Sequence, residues 1–349
     1  MSVALLTASD VDPGKLDSFL SRMYSPAKSL FLRQYGDWWH GGTRNRWALL
    51  DDGNVVGYCA IIPSRIYLQG ESVNAIWWMD LVIDPAFRGK GYQTLFDREM
   101  RKLADLKLGF PNKFAASIHK RHKWGVREDL QVRVLPLQPL HMRAVRNAKG
   151  WKGIILRLFT RFASPFFTLL NSLLGFFYKL DNAFQLEKFD AALLSGIFTR
   201  FKEGQVITTV RDAAYFQWRY GDAPYFGELA FYLAGPRDAP THYLIARHVP
   251  AKGMDFPVTR ILDIYGDLTN RKYLIELFRL AILDAMKNQS VQVMMMATLP
   301  SLQDAAIRAG FWVSGRARFC WLSESADIME QFALPGYWVL ADSDNDEPD

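Results

Sequence analysis

Residues 75–106 combine two hydrophobic periods on either side of a short polar loop. Residues 75–83 (AIWWMDLVI) are almost continuously apolar and rich in aromatic and β-branched side chains, and Asp84-Pro85 ends the run. Such a run predicts a buried central strand. After Thr94 the apolar residues recur at helical spacing, which predicts an amphipathic helix. The apolar stripe of this helix consists of Leu95, Phe96, Met100, Leu103 and Leu106.

The loop between this strand and helix, residues 88–93 (RGKGYQ), is the first candidate site. A glycine-containing loop at a helix N-terminus directs free backbone N–H groups to one point, where the helix dipole adds positive potential. Arg88 and Lys90 add formal charge, so the pattern predicts a phosphate-bearing ligand. The loop lacks the GxxxxGK[ST] pattern, and Thr94 replaces the third glycine of a dinucleotide fingerprint. The alternative is an ordinary strand-to-helix turn.

Residues 83–93 (IDPAFRGKGYQ) resemble motif A of the GNAT superfamily of N-acetyltransferases, V-x-P-x-x-[RQ]-x-x-G-x-[GA], between a strand and a helix. Ile83 replaces the Val, and Gln93 stands where the family has Gly or Ala. The resemblance implies acetyl-coenzyme A, or a longer acyl-coenzyme A, as co-substrate, with its pyrophosphate on the loop amides. The residues that the resemblance assigns to the coenzyme are Leu81, Val82, Ile83, Arg88, Gly89, Lys90, Gly91, Tyr92, Gln93 and Asn112.

Shorter patterns precede and follow residues 75–106. Alternating apolar residues and turn signals predict strands at 3–7, 46–50, 55–63, 65–69, 107–110 and 131–137, and helices from Pro13 and over 113–123. The stretch 31–46 is rich in aromatic residues and glycine and receives no assignment. The order of elements is the one that the resemblance implies for a single GNAT domain.

The chain then repeats itself after about 185 residues, which indicates an internal duplication. The matching positions are Tyr35 and Tyr220, Tyr58 and Tyr243, Asp80 and Asp263, and Trp124 and Phe311. We therefore predict an α/β fold with mixed sheets, in which tandem GNAT-like acyl-CoA N-acyltransferase domains are joined by a helical connector. The predicted segments are a domain with the coenzyme motif at 1–145, a connector at 146–187, a second domain at 188–335 and an acidic tail at 336–349.

The second copy differs where a coenzyme would bind. After Asp267 it reads LTNRKYLIE, without a glycine and without RGxG, so its backbone amides are less free to surround a pyrophosphate. This predicts one ligand-competent domain and one degenerate domain. The degenerate domain is then a structural partner, a wall of the acceptor pocket, or both.

The connector region 149–178 is both basic and apolar. Trp151, Ile154, Ile155, Leu158 and Phe162 recur at helical spacing among lysines and arginines, as in a helix that makes peripheral membrane contact. Residues 162–178 have no charge but contain a proline, and they fall short of the ~20 apolar residues that a spanning helix needs. The alternatives are a membrane span, or helices that pack against the two domains.

Two residues are candidates for proton transfer. The resemblance places a tyrosine that protonates the leaving thiolate on the helix after the next strand, at the position of His119. A histidine can donate a proton near neutral pH, and the alternative is a plain helix residue. Asp80 is ionisable inside an apolar strand, where burial is expected to raise its pKa toward that of a general base. Its alternative is a structural, hydrogen-bonding Asp, and Tyr92 is a weaker third candidate.

Composition adds limits. The net charge of +6 does not call for nucleic acid, because coenzyme A is itself anionic, and nucleic acid is the less favoured partner. Cys59 and Cys320 form no disulfide framework, and the N-terminus lacks the features of a signal peptide. We expect a cytoplasmic protein, or one at the inner face of the membrane. His119 and His122 lack further ligands, so no metal site is expected.

The predicted function is transfer of an acetyl or longer acyl group from coenzyme A to a primary amine of a small molecule. The tandem layout looks similar to GNAT proteins of bacterial surface-polysaccharide pathways, so the first hypothesis for the acceptor is an amino sugar. The alternatives are an aminoacyl or long-chain acyl transferase, and a non-catalytic coenzyme-binding or scaffold protein.

Overall fold

One continuous mixed sheet runs through both halves of the chain. The computed structural model describes residues 3–68, 70–142, 145, 147–151, 153–162, 165, 180–202, 207–250, 256–333 and 338–339. The strands are β1 (Val3–Thr7), β2 (Arg46–Asp51), β3 (Asn54–Leu68), β4 (Glu71–Ile83), β5 (Leu106–Gly109), β6 (Gly125–Pro136), β7 (Ala183–Gln185), β8 (Ile207–Thr209), β9 (Leu229–Ala234), β10 (His242–Val249), β11 (Val258–Gly266), β12 (Gln292–Ala297), β13 (Trp312–Ser323) and β14 (Trp338–Val339). In the sheet they follow the order β1-β2-β3-β4-β5-β13-β6-β12-β11-β10-β9-β7, with β8 between β3 and β14.

Helices cover this sheet. They are α1 (Pro13–Met23), α2 (Pro26–Trp39), α3 (Tyr92–Arg101), α4 (Lys113–Arg121), α5 (Ala191–Phe201), α6 (Ala213–Phe216), α7 (Arg271–Lys287), α8 (Pro300–Arg308) and α9 (Ala326–Ala333). Residues 150–151 and 153–162 are also helical, and we call 150–162 the connector helix. Among the described residues, no helix is both long and apolar enough to cross a membrane.

The two halves exchange their last strands. β6 of the first half pairs with β12 of the second half, where Val134 lies opposite Met294. β13 of the second half pairs with β5 of the first half, where Cys320 lies opposite Gly109. The exchanged strands also pair with each other in antiparallel orientation. The sheet is therefore continuous because each half completes the other.

Corresponding elements of the two halves confirm the predicted tandem fold. At the end of α4 the Trp124 N–H donates to the His119 carbonyl over 3.0 Å, and at the end of α8 the Phe311 N–H donates to the Ala306 carbonyl over 2.9 Å. The residue before each aromatic side chain has a positive φ, 63° at Lys123 and 98° at Gly310. Trp124 and Phe311 are both buried.

One local prediction was wrong, and one stretch without an assignment forms a helix. The separate strand at 65–69 is the end of β3, which pairs with β4 without interruption from Ala60 to Leu68 and includes Pro63. The partner strand β2 extends along β3 only to Ala60, so the missing N–H of Pro63 breaks no ladder on that edge. The unassigned stretch 31–46 contains most of α2, whose N-cap Ser25 accepts a hydrogen bond from the Lys28 N–H.

Two short strands lie inside segments that were predicted as connector and as tail. β7 lies inside the segment predicted as connector and pairs with β9. β14 lies inside the segment predicted as tail and pairs with β8. The acidic residues 342–349 are outside the described residues, as are 166–179 of the connector.

Candidate active site

The site begins where β4 is still paired with β3 but no longer with β5. β3 pairs with β4 as far as Ile83, but β5 pairs with it only from Ala75 to Trp77. Beyond that point β4 and β5 diverge, and one edge of β4 stays open. The Asp84 N–H donates to Val56 of β3 over 2.9 Å, so by alternation the N–H and C=O of Ile83 face the open edge. The Arg88 guanidinium donates to that Ile83 carbonyl over 3.2 Å.

The glycine loop leaves the first turn of α3 without a capping side chain. Gly89 and Gly91 have φ values of 82° and 78°, in the left-handed region that glycine adopts without strain. Gly91 is the N-cap residue and has no side chain to bond the N–H groups of the first turn. In the second half, the equivalent helix α7 begins at Asn270, whose side chain accepts from the Tyr273 N–H. Of these two helix starts, the first therefore has no capping side chain and holds the Thr94 N–H with the Gly91 carbonyl, which leaves the N–H groups before Thr94 without a side-chain cap.

A cavity of about 650 Å³ connects this loop with helix α4. Of the sequence-predicted site residues, Leu81, Val82, Ile83, Arg88, Gly89, Gly91, Tyr92, Gln93, Asn112 and His119 line it, whereas Lys90 and Asp80 do not. Asn112 begins α4, because its side chain accepts from the Ala115 N–H over 2.9 Å. The structure thus brings together residues that lie up to 38 positions apart in the chain.

Lys90 and Tyr92 are both held by Asp51, the last residue of β2. The Tyr92 hydroxyl donates to the Asp51 carboxylate over 2.7 Å, and this bond raises the pKa of the tyrosine. The Lys90 ammonium lies 3.8 Å from the same carboxylate and 4.5 Å from the centre of the Phe87 ring. Because its hydroxyl is committed to Asp51, Tyr92 is a poor proton donor for a thiolate.

His119 lies among aromatic rings on the cavity wall. Its ring centre is 4.5 Å from that of Trp124 and 6.1 Å from that of Trp78. Burial lowers the pKa of His119 to about 4. The expectation that His119 donates a proton near neutral pH is therefore wrong, since a ring with this pKa is neutral at pH 7. A neutral imidazole accepts a proton instead.

The low pKa of His119 predicts a pH-dependent stability. The folded state favours the neutral ring, so its contribution is complete above the ordinary pKa of about 6.5 and is lost as the pH falls toward 4. We expect the free energy of unfolding of wild type to fall by about 2 kcal/mol more than that of His119→Phe between pH 7 and pH 4. Urea unfolding at both pH values measures this difference. The matched control is His122→Phe at the exposed neighbouring histidine; a wild-type loss equal to that of His119→Phe contradicts the prediction.

Asp80 lies outside the cavity, in an ion pair on the other side of β4. Its carboxylate is 2.7 Å from the Lys28 ammonium and 3.0 Å from His40 Nε2, and 3% of its side chain is exposed. Burial alone raises the pKa of Asp80, but the His40 hydrogen bond and the Lys28 charge outweigh it and lower the pKa to about 2. The expected upward shift was wrong.

The second half repeats this arrangement with other partners. Asp263, the counterpart of Asp80, lies 2.7 Å from the guanidinium of Arg211, and both side chains are fully buried. The Tyr243 hydroxyl donates to the same carboxylate over 3.2 Å. A buried, charge-paired carboxylate on this strand is thus common to both halves, including the half without a glycine loop, which supports a structural role for Asp80.

A second cavity, of about 430 Å³, lies on the opposite face of β4. Trp77 lines this cavity and Trp78 lines the first, because successive residues of a strand point to opposite faces. Both halves contribute to its wall: Arg65, Asn74 and Trp77 come from the first, and Asp212, Tyr215 and Trp218 from the second. Arg65 and Asp212 form an ion pair across it. The indole N–H groups of Trp38 and Trp218 donate to each other's carbonyls over 2.8 and 2.7 Å and join the two halves beside it.

Sequence reasoning missed the aromatic wall and this second cavity. Trp78 and Trp124 were visible as strand and helix-end residues, and period-2 alternation alone places Trp77 and Trp78 on opposite faces. The contribution of Asp212 and Trp218 had no local signal, because it depends on how the halves pack. In the described part of the chain, no three His, Cys, Asp or Glu side chains are grouped closely enough to hold a metal ion.

Comparison with known proteins identifies the segment that holds the loop. Residues 16–104 match the Acetyltransferase (GNAT) family model. This segment runs from α1 through the glycine loop to the end of α3. No curated protein sequence matches the chain.

Solved structures resemble nearly the whole chain in fold. Saccharomyces cerevisiae N-myristoyltransferase with bound myristoyl-CoA matches with a TM-score of 0.60 at 10% identity, over 92% of this chain and 82% of that one. A GCN5-related N-acetyltransferase from Anabaena variabilis matches with a TM-score of 0.55 at 14% identity, over 92% and 72%. An Enterococcus faecalis protein described as a probable N-acyltransferase matches with a TM-score of 0.56 at 8% identity, over 93% and 72%. Residues 16–104 thus resemble the GNAT acetyltransferase family, and nearly the whole chain shares the fold of these N-acyltransferase structures.

Proposed function

We propose that this protein transfers an acetyl group from acetyl-coenzyme A to the primary amine of an amino sugar. The observation that carries the proposal is the pair of cavities on opposite faces of β4. Adjacent residues of β4 line the two cavities, Trp78 the first and Trp77 the second, beside the point where the pairing of β4 with β5 ends. A thioester lying along the open edge of β4 on one face is then accessible to an amine that arrives from the other.

The first cavity suits the coenzyme. The N–H groups at the start of α3, with Arg88, offer a cradle for the pyrophosphate. From Ile83 back to Trp78 the open edge spans about 17 Å, at ~3.3 Å per residue, and offers the Ile83 N–H to a carbonyl oxygen. Trp78 and Trp124 form an apolar wall beside this path.

The reaction removes one proton from the amine and adds one proton to the leaving thiolate. The thioester supplies an activated carbonyl: the amine nitrogen forms a C–N bond to its carbon, the C–S bond breaks, and the thiolate takes up a proton. His119 is neutral at pH 7 and lines the coenzyme cavity, so we assign it to accept a hydrogen bond from the attacking amine. With a pKa of about 4 its ring is too weak a base to keep the proton that the amine loses, which passes to the departing thiolate. Asp80 positions α2 against β4 through Lys28 and His40 and does not contact the reacting atoms.

The second cavity suits an amino sugar. Its walls combine three aromatic rings, Trp77, Tyr215 and Trp218, with polar side chains such as Ser64 and Asp212. Aromatic faces pack against the apolar face of a sugar ring, while side-chain hydroxyls and carboxylates bond its hydroxyl groups. Its volume of about 430 Å³ falls in the range of small-molecule sites.

The first alternative is transfer of a long acyl chain, which the resemblance to a structure with bound myristoyl-CoA brings into consideration. The second is binding of coenzyme A without turnover. Both are distinguished from the proposal by the same assay.

We expect thiol release from acetyl-coenzyme A in the presence of glucosamine and none with N-acetylglucosamine, whose amine is already blocked. Rates should fall with acyl length from acetyl to myristoyl. In a matched pair, Trp218→Ala should raise KM for glucosamine about ten-fold or more, and Trp312→Ala, at an exposed tryptophan on β13, should leave it unchanged. Faster transfer from myristoyl-coenzyme A overturns the acetyl proposal, and binding of acetyl-coenzyme A without thiol release on any amine overturns the enzymatic one.

A further inference from the structure

The connector helix presents its apolar side to solvent. Among its described residues the buried ones are Gly153 and Thr160, which are seven positions, or two turns, apart and so lie on one side. Its large apolar side chains are exposed, from 38% at Leu156 to 81% at Phe162. Trp151, Ile154, Ile155, Leu158, Phe159 and Phe162 fall on the half of the helix that faces away from Gly153 and Thr160.

This orientation is the reverse of that of an ordinary surface helix, whose apolar stripe faces the core. It contradicts, for the described residues, the alternative in which the apolar face packs against the two domains. An apolar face of this size on a protein surface marks a contact with something apolar.

The charges of the helix indicate what that contact is. Arg157 and Arg161 are one turn apart on one side of the apolar face, and residues 149–162 contain no Asp or Glu. A helix with a large apolar face, flanking cations and no acidic residue is typical of binding in the interfacial plane of an anionic bilayer. The whole chain carries a net charge of +6, which adds to this attraction.

We propose that the connector helix docks this protein on the surface of an anionic lipid bilayer, with Trp151, Ile155, Leu158 and Phe162 inserted among the lipids and Arg157 and Arg161 at the phosphates. Docking does not depend on acyl transfer. It holds the protein at a membrane surface.

Flotation of the full chain with vesicles of phosphatidylcholine and phosphatidylglycerol tests this proposal without any acyl-coenzyme A. We expect binding by wild type, a loss of affinity of about ten-fold or more in Ile155→Glu, and no change in Ile307→Glu. The two isoleucines are a matched pair, because each lies on a helix and is 55% exposed. Arg157→Gln and Arg161→Gln should each weaken binding to these vesicles about five-fold and leave binding to pure phosphatidylcholine unchanged.

The other occupants of the apolar face give different results. If a second copy covers it, the wild type is a dimer in sizing experiments, Ile155→Glu is a monomer, and neither floats with vesicles. If residues 166–179 cover it, an environment-sensitive fluorophore on Leu158→Cys has the same emission with and without vesicles. Either result overturns the proposal, whereas a blue shift that appears only with anionic vesicles supports it.

Discussion

Gly91→Glu is expected to weaken the binding of acetyl-coenzyme A by about 100-fold or more in calorimetric titration. The substitution places a carboxylate at the start of α3, where the pyrophosphate is proposed to lie. Repulsion between charges about 4 Å apart near a protein surface amounts to about 4 kcal/mol. A Cβ at this position meets no atom within 4 Å, so the new side chain enters open space and displaces no neighbour.

Gly91→Gln is the matched control for this substitution. Gln has the shape of Glu but carries no charge. Either side chain strains the backbone at a φ of 78°, at a cost of roughly 1–2 kcal/mol. We expect its affinity to fall about ten-fold at most. Equal losses in the two variants would mean that bulk, and not charge, closes the site, and unchanged affinity in both would place the pyrophosphate elsewhere.

Asp80→Asn is expected to destabilise the fold by about 3 kcal/mol and to leave the rate of acyl transfer per folded molecule within a few-fold of wild type. The loss follows from the ion pair, since the substitution removes the buried carboxylate charge that the half-buried Lys28 ammonium and His40 contact. Asn tolerates the positive φ of 55° at this position, so backbone strain adds little. Urea unfolding and thiol release at saturating substrate measure the two quantities.

A double substitution separates the ion pair from a catalytic role. Asp80→Asn with Lys28→Met should be more stable than Asp80→Asn alone, because the positive charge that the Asp80 carboxylate balanced is removed with it. The low pKa of Asp80 adds a check: its contribution to stability is complete above pH 4 and is lost as the pH falls toward 2, and Asp80→Asn lacks this loss. A rate loss of 100-fold or more with unchanged stability would instead identify Asp80 as the general base.

The strand, glycine loop and helix of residues 75–101 could be predicted from the sequence because their signals are local. The apolar run, the two glycines and the helical stripe each act over a few residues, and the observed β4, α3 and the placement of Asn112 agree with them. The duplication was predictable because matching residues, such as Tyr58 and Tyr243, recur in the same order about 185 positions apart.

Three features of the structure could not be predicted from the sequence because they depend on tertiary contacts. The pKa of Asp80 depends on Lys28 and His40, which α2 carries from 40 or more positions away, and nothing in the apolar run indicates them. The wall that Tyr215 and Trp218 add to the second cavity depends on the packing of one half on the other. The outward orientation of the connector helix also has no sequence signal, because its amphipathic pattern is the same whichever side is covered.

The exchange of β6 and β13 has a consequence for synthesis of the protein. When the first half leaves the ribosome, the strands that flank β6 in the finished sheet, β12 and β13, have not yet been made. The open side of β5 also waits for β13, about 200 residues later. We therefore expect the first half to emerge with unpaired, aggregation-prone strand edges that need chaperone protection until translation is nearly complete.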